Sequence, residues 1–245
     1  DTPWWNSYYE NLSDGPVYLG KSLVGYKGEM PENTTLVVKE GTTAIADNVF
    51  NYENRPENLV AITFPESLKE IGESAFLECS SLKEITIPKN VTKIGENAFN
   101  ADYLEKVTWN AINCESLYKE INYGGEVYVE NRFIFYADSN YGDGSSSIKT
   151  FIFGNEVETI PDALCYGMSE ITEITIPNSV KSIGKSAFKG CSISEITIPE
   201  GVSYVGGGAF IGGKKLRKVV WNAIDCKVDE NRKEGEITYL SESIF

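Results

Sequence analysis

The side chains that could do chemistry in this sequence are carboxylates, lysines and five thiols, since the chain contains no histidine. That absence excludes the commonest general base, the Ser-His and Cys-His nucleophile pairs, and most zinc sites. Among 36 acidic residues, no pair stands apart as the two carboxylates of a glycoside hydrolase would. Acids such as Glu73, Glu96 and Glu156 fall at variable positions of a repeat. The sequence therefore predicts a protein that is not an enzyme, with no catalytic residue and no cofactor.

The five cysteines occupy related positions rather than a redox motif. Cys79 and Cys191 each follow the start of a strand-like segment by 17 residues, and Cys114 and Cys226 by seven. Cys165 stands where other copies carry phenylalanine. Their number is odd and they form no CxxC, whereas free cysteine packs well as a small hydrophobe. We expect buried, unpaired thiols, not disulfides or metal ligands.

Two stretches have the composition of a binding loop but the wrong spacing. In "DSNYGDGSSS", from Asp138 to Ser147, the glycine and the glutamate of an EF-hand are replaced by Asp143 and Lys149. "GVSYVGGGAF", from Gly201, is followed by neither a dinucleotide fingerprint nor a Walker lysine. We expect an inserted flexible loop at the first and an ordinary repeat at the second, so no metal site is predicted.

The net charge of −14 argues against one class of partner. An acidic chain repels a phosphate backbone, so no nucleic-acid partner is expected. No apolar run approaches the roughly 18 residues of a membrane span. The opening "DTPWWNSYYE" lacks the basic and apolar regions of a signal peptide.

A repeat organises most of the chain. "ITIPKNVTKIGENAFN" from Ile85 returns as "ITIPNSVKSIGKSAFK" from Ile174 and "ITIPEGVSYVGGGAFI" from Ile196. Strand-like segments begin at Leu36, Ile62, Ile85, Val107, Phe151, Ile174, Ile196 and Val219. Neighbouring starts are mostly 22 or 23 residues apart, a period typical of leucine-rich repeats.

Fixed positions inside the repeat carry apolar residues. Nine residues after six of the starts stand Ile45, Ile71, Ile94, Ile160, Ile183 and Val205. Fourteen residues after the same starts stand Phe50, Phe76, Phe99, Cys165, Phe188 and Phe210. We expect the rings of Phe76, Phe99, Phe188 and Phe210 to stack as one interior column.

Each repeat can be interpreted as one coil. "ITIP" has the alternation of a short half-buried strand that proline ends. "VTKIG" predicts a second extended segment closed by Gly95, a residue that can adopt a positive φ. Because one coil cannot bury its apolar face alone, stacked coils are required. The fold class predicted is mainly β: a right-handed leucine-rich-repeat solenoid of 22–23-residue coils, with parallel β-sheets and short helical turns.

A longer duplication lies above the repeat. "VTWNAINC" at Val107 recurs 112 residues later as "VVWNAIDC" at Val219. The sequence predicts one solenoid over residues 1–245, built of two super-repeats at roughly 17–126 and 127–245. Both ends look ragged, with "DTPWW" similar to the tail of a preceding coil, so we expect a piece of a longer array.

The pattern "ITIPxxVxxIGxxAFxxC" resembles the BspA-like leucine-rich repeats, of the leucine-rich repeat 5 type, over essentially the whole chain. That family occurs in surface proteins of gut and oral anaerobic bacteria and of some protozoan parasites. The resemblance implies a secreted or cell-surface protein that adheres to proteins or host matrix. It does not identify the ligand.

Candidate binding residues follow from strand alternation. In "EITI" the isoleucines point inward, so the residue between them and the residue before them point outward. Stacking aligns the first set as Val37, Thr63, Thr86, Thr108, Ile152, Thr175, Thr197 and Val220. It aligns the second set as Thr35, Ala61, Glu84, Lys106, Thr150, Glu173, Glu195 and Lys218. The five threonines of the first row and the five charged residues of the second are the candidate ligand-binding residues, although a merely solvated strand also favours threonine.

Aromatic segments offer an alternative site. Two segments contain more aromatic residues than a simple coil requires. One is "PWWNSYYE", and the other carries the tyrosines Tyr118, Tyr123, Tyr128, Tyr136 and Tyr141. Exposed rings could anchor a protein or glycan, but they could equally fill the space of divergent coils, which we favour. The leading hypothesis is a non-enzymatic interaction module for a protein or extracellular-matrix ligand. The alternatives are a carbohydrate-binding surface protein and a structural spacer.

Overall fold

The computed structural model describes residues 3–50, 54–100, 103–123, 126–131, 133–136, 146–213 and 215–228. The first elements are a helix, α1 (Pro3–Glu10), and an antiparallel hairpin, β1 (Gly15–Leu19) and β2 (Ser22–Lys27). The eight-residue helix was not predicted, since we expected single helical turns and the tail of a coil there. Tyrosines secure it: the hydroxyls of Tyr8 and Tyr9 donate to the carbonyls of Tyr18 and Tyr26.

The first strand of each coil lies on a side of the molecule that we call the front. These strands are β3 (Thr34–Val37), β5 (Leu59–Thr63), β7 (Glu84–Ile87), β10 (Lys106–Trp109), β14 (Thr150–Phe153), β17 (Glu195–Ile198) and β19 (Lys218–Trp221). They pair in parallel as β3–β5, β7–β10–β14 and β17–β19. Seven of the eight predicted first strands are therefore confirmed, and the strand predicted at Ile174 is absent.

The second extended segment of each coil forms a ladder that we call the back. Its strands are β4 (Ala44–Ile45), β6 (Glu70–Ile71), β8 (Lys93–Ile94), β15 (Thr159–Ile160), β16 (Ser182–Ile183), β18 (Tyr204–Val205) and β20 (Lys227–Val228). One sheet runs β1–β2–β4–β6–β8 and another β15–β16–β18–β20. A parallel bridge from Asn113 to Thr159 continues the ladder towards the second sheet. All six back segments read from the sequence are strands.

The third side of the coils carries aromatic rings. Two parallel strands lie here, β9 (Phe99–Asn100) and β13 (Phe135–Tyr136). The rings of Phe76 and Phe99 stack with centroids 5.3 Å apart, and those of Phe188 and Phe210 with centroids 5.4 Å apart. The four rings are interior, as predicted, but they form two stacked pairs and not one column, and neighbouring rings connect the pairs through Phe135, Phe151 and Phe153. One apolar core extends from Leu23 to Phe210.

The glycines that close the back strands are present for a different reason than the one predicted. The φ angles of Gly72, Gly95, Gly184 and Gly206 are not positive. A side chain at Gly95 would collide with the backbone of Glu73 in the preceding coil. The left-handed conformation instead occurs two residues later, for example at Asn97 with φ 53°. Glycine is therefore needed there for close approach between coils.

The remaining described elements are connections. A 3-10 turn, Pro56–Asn58, precedes β5, and β11 (Tyr118–Tyr123) pairs antiparallel with β12 (Glu126–Asn131). Most of the loop predicted at Asp138–Ser147 lies outside the described residues, as do Tyr141 and the side chains of the other four tyrosines of that group. In the described part, α1 and the short turns are too brief and too polar to span a bilayer.

Candidate interaction face

The two outward rows of the front strands form a continuous exposed surface within each sheet, which we call the front face. Eight of the ten candidate residues are exposed, and Lys106 and Thr108 are half-buried. The inward neighbours Ile85, Ile87 and Trp109 are almost completely buried. The strand alternation read from the sequence thus gives the correct side for every candidate residue. Their role in binding remains a prediction.

The register of the strands brings together some candidates and separates others. Thr86 lies beside Thr108, and Thr197 beside Val220. Thr63 pairs with Val37 in a different sheet from Thr86, so the expected row is interrupted between β5 and β7. The rows are therefore three patches, not one uninterrupted stripe.

Two ion pairs occupy equivalent places on the front face. The ammonium of Lys106 lies 2.8 Å from a carboxylate oxygen of Glu84, its ladder neighbour. Lys218 and Glu195 repeat the arrangement at 3.2 Å. Lys106 is half-buried and the other three side chains are largely exposed, so each pair contributes on the order of 0–1 kcal/mol to stability. Their main effect is a fixed pattern of charge beside the threonines.

The front face opens into two grooves where the strand predicted at Ile174 is missing. A narrow groove of about 430 Å³ lies between β14 and residues 172–177. A wide groove of about 1230 Å³ lies between residues 174–178 and the strands β17 and β19. Thr175 borders both grooves, whereas Thr197 and Lys218 line the wide one.

Residues after the strands also line the wide groove, and the sequence interpretation missed them. Asn178, Glu200, Asn222 and Ile224 are exposed there. Asn178 and Glu200 share an offset, four residues after the predicted starts at Ile174 and Ile196, but Asn222 and Ile224 do not, so strand alternation gave no signal for this set. Ile224 is 65% exposed although it is a large apolar residue, which marks this end of the front face as unusually apolar.

The cysteines are buried in the way that the repeat predicted, with one difference. All five lie in the described residues and are free; four are buried and Cys226 is half-buried. Burial raises the pKa of the Cys114 and Cys191 thiols to about 12. Burial, with Glu78 nearby, raises the pKa of Cys79 further, and burial beside Cys191 raises that of Cys165. Such thiols are poor nucleophiles.

Acidic side chains do not converge on a metal site in the described part of the chain. No group of three or more histidine, cysteine, aspartate or glutamate side chains is placed to hold an ion there. Asp47 and Asp162 each contact the backbone of the next coil. Asp47 accepts a hydrogen bond from the backbone N–H of Glu73, and Asp162 accepts one from that of Lys185, both at 2.7 Å.

The N-terminal aromatic residues that the structure describes pack against the solenoid. Tyr8 and Tyr9 are half-buried on α1, and the hydroxyl of Tyr18 accepts a hydrogen bond from the backbone N–H of Lys39. These contacts favour the packing interpretation of that segment. A different aromatic pair is more open: the Phe133 and Tyr166 rings lie 4.9 Å apart, with the Lys189 ammonium 5.2 Å from the Tyr166 ring centroid.

The stacked coils, the parallel front strands and the buried phenylalanine positions define a leucine-rich-repeat solenoid. The model for the BspA-type leucine-rich repeat region matches six copies over residues 31–125 and 138–228. The chain therefore belongs to the BspA-type leucine-rich repeat family. No curated protein is significantly similar to it.

Three of the solved structures that match the chain are bacterial proteins. A leucine-rich repeat protein from Bacteroides ovatus is 24% identical with a TM-score of 0.55, over 79% of this chain and 44% of that one. A leucine-rich cell surface protein from Faecalibacterium prausnitzii is 22% identical with a TM-score of 0.35, over 78% and 60%. The pneumococcal vaccine antigen PcpA is 19% identical with a TM-score of 0.37, over 88% and 59%. The chain thus spans about half the length of these proteins.

Proposed function

We propose that the chain is a non-enzymatic interaction module, which binds a protein or extracellular-matrix ligand through the front face. The observation that carries this proposal is the front face itself: rows of exposed threonines beside ordered Glu–Lys pairs. Short β-branched side chains leave the paired strands flat between the grooves, and the Glu–Lys pairs give them a pattern of charge that a partner can recognise. A rigid solenoid presents such a face with little entropy to lose on binding.

A secreted or cell-surface location forms part of the proposal. Its support is membership of the BspA-type family, whose resemblance implies surface display. Burial of four of the five thiols fits this setting, because buried free cysteines are protected from oxidation outside the cell.

The test replaces Thr86, Thr175 and Thr197 by lysine and measures binding to a panel of purified extracellular-matrix proteins. Long charged side chains on a flat face should reduce affinity at least about tenfold for any protein that binds the unmodified chain. Thr92→Lys is the matched control, since Thr92 is an exposed threonine beside the back strand β8. Unchanged affinity in the triple variant, with an unchanged melting temperature, would remove the front face from consideration.

A second candidate function is carbohydrate binding, which the open Phe133–Tyr166 pair favours. Phe133 is 37% exposed, and aromatic faces stack well on sugar rings. A glycan array with the variant Tyr166→Ala separates the two candidates. Loss of a glycan signal in that variant, with binding of matrix proteins intact, would assign this site to carbohydrate.

A further inference from the structure

Residues 172–176 have an unusual backbone for this fold. In the described chain, the N–H and C=O groups of Thr172–Ile176 make no hydrogen bond. The same letters "EITIP" at Glu84 and at Glu195 form the ladder strands β7 and β17. The local sequence therefore permits a strand here, and what is missing is a partner for it.

The two neighbouring strands are unpaired on the sides that face this segment. Among the residues that the structure describes, β14 pairs only with β10, and β17 only with β19. The narrow groove reaches the inward side chains Phe151 and Phe153, and the wide groove reaches Ile176 and Ile196. Both openings thus extend between strands, down to the level of the core. Unpaired backbone N–H and C=O groups at a strand edge are a template for an added strand.

The charges around the segment favour a basic partner. Glu195 is paired with Lys218, and Lys149 with Glu105. Glu173 and Glu200 also line the grooves, are exposed, and have no cationic partner among the described residues. Two carboxylates therefore remain available beside the unpaired backbone.

We propose that Thr172–Ile176 binds an extended basic peptide segment of a partner protein by strand addition. Main-chain hydrogen bonds to the segment supply affinity, and lysine or arginine side chains of the peptide meet Glu173 and Glu200. This inference rests on the proposed function and gives that function a defined position on the front face.

The first super-repeat supplies a matched comparison inside the same chain. There the strand equivalent to residues 172–176 is β5, which is paired with β3, and the position equivalent to Glu200 is Lys89. Lys89 lies 3.8 Å from a carboxylate oxygen of Glu156, so that place lacks a free negative charge. The equivalent surface between β5 and β7 should therefore not accept the peptide.

The experiment measures amide hydrogen exchange by NMR with a capped octapeptide in which lysine alternates with threonine or valine. The peptide should slow exchange of the amides at 173–176 at least about tenfold and leave those of Ile85 and Thr86 unchanged. The same peptide with alternate backbone nitrogens methylated should not protect them, because it cannot form the ladder. Glu173→Lys should weaken binding about two- to fivefold, whereas Glu84→Lys should not.

Three results would overturn the inference. They are no protection by the basic peptide, equal protection by the methylated peptide, or equal binding of a peptide with glutamate in place of lysine. Failure here is distinguishable from failure of the proposed function. If the triple threonine variant loses a matrix partner while the octapeptide does not bind, only the strand-addition site is wrong.

Discussion

At the residue scale, the aromatic positions show what a repeat can and cannot predict. The fourteen-residue offset identified Phe76, Phe99, Phe188 and Phe210 because an inward position recurs in every coil. It could not identify Phe135 and Phe153 as the rings that connect the two pairs. Phe135 lies in a divergent segment, where the period gives no guidance.

Replacing Phe99 by alanine should cost about 3–5 kcal/mol, because its ring is fully buried between Phe76 and Phe135. Chemical denaturation monitored by far-ultraviolet circular dichroism measures the loss. Phe133→Ala is the control, since that ring is 37% exposed and should cost much less. Equal losses in the two variants would contradict the assigned register.

The reactivity of the cysteine thiols is a second property of single residues. Only thiolates react with alkylating reagents, and burial holds the pKa of four of the thiols well above neutrality. Burial also raises the pKa of Cys226, but this thiol is half-buried and accessible. The sequence did not distinguish Cys226 from Cys114, since both follow the same motif.

A thiol reagent at pH 8 should therefore label Cys226 first and the other four only after denaturation. Labelling of Cys226 should accelerate as the pH rises, because the thiolate fraction grows towards its raised pKa. Mass spectrometry of peptides locates the label. Rapid native labelling of Cys79 or Cys191 would show that the coil positions assigned to them are wrong.

At the element scale, the back turns explain why glycine recurs after each short strand. The sequence suggested a positive φ, which is the commoner reason for a recurring glycine in a turn. The structure shows that adjacent coils approach so closely that a Cβ at Gly95 has no room. The sequence of one coil cannot reveal this clash, because the clashing backbone atoms belong to the preceding coil.

Gly95→Ala should consequently destabilise the chain by about 1–3 kcal/mol through overpacking. Gly25→Ala is a matched control: Gly25 lies in β2, has no positive φ, and a Cβ there would meet no atom within 4 Å. The control should change stability by less than about 0.5 kcal/mol. Thermal unfolding of both variants measures the change in stability. An unchanged stability of the Gly95→Ala variant would refute close approach as the reason for glycine.

The missing strand at Ile174 is a second lesson at this scale. Its sequence is the same as that of β7 and β17, so propensity cannot be the cause. We attribute the gap to β14, which places two phenylalanine rings at successive inward positions, 5.1 Å apart. Those rings need more room than the isoleucines of β7. Context from a neighbouring coil therefore overrides the local pattern.

At the scale of the whole molecule, the period determined most of the fold in advance. Stacking of coils, parallel strands on two sides and an interior of apolar columns all follow from burying one repeat against the next. The α1 helix did not follow, because it lies outside the repeat and is positioned by tyrosine hydrogen bonds to the first hairpin. The two grooves did not follow from the period either, because they lie where the strand predicted at Ile174 is absent.

The candidate site was predictable to a similar degree. Alternation along a strand identifies which side chains face outward, so every candidate residue was on the correct side. The ion pairs Glu84–Lys106 and Glu195–Lys218 were implicit in the rows, since ladder neighbours carry opposite charges. Glu200 and Ile224 were not implicit, because their position depends on how the chain leaves the strand.

The central claim, that the front face is where a partner binds, is tested most directly by a hydrogen-exchange footprint. The measurement compares amide exchange rates in the free chain with those in its complex. The partner in that complex is a matrix protein identified in the binding panel. We predict slower exchange in peptides that cover β7, β10 and β17, and unchanged exchange in the back strands β6, β8 and β18. Protection confined to Tyr8–Lys27, or to the neighbourhood of Phe133 and Tyr166, would contradict the account.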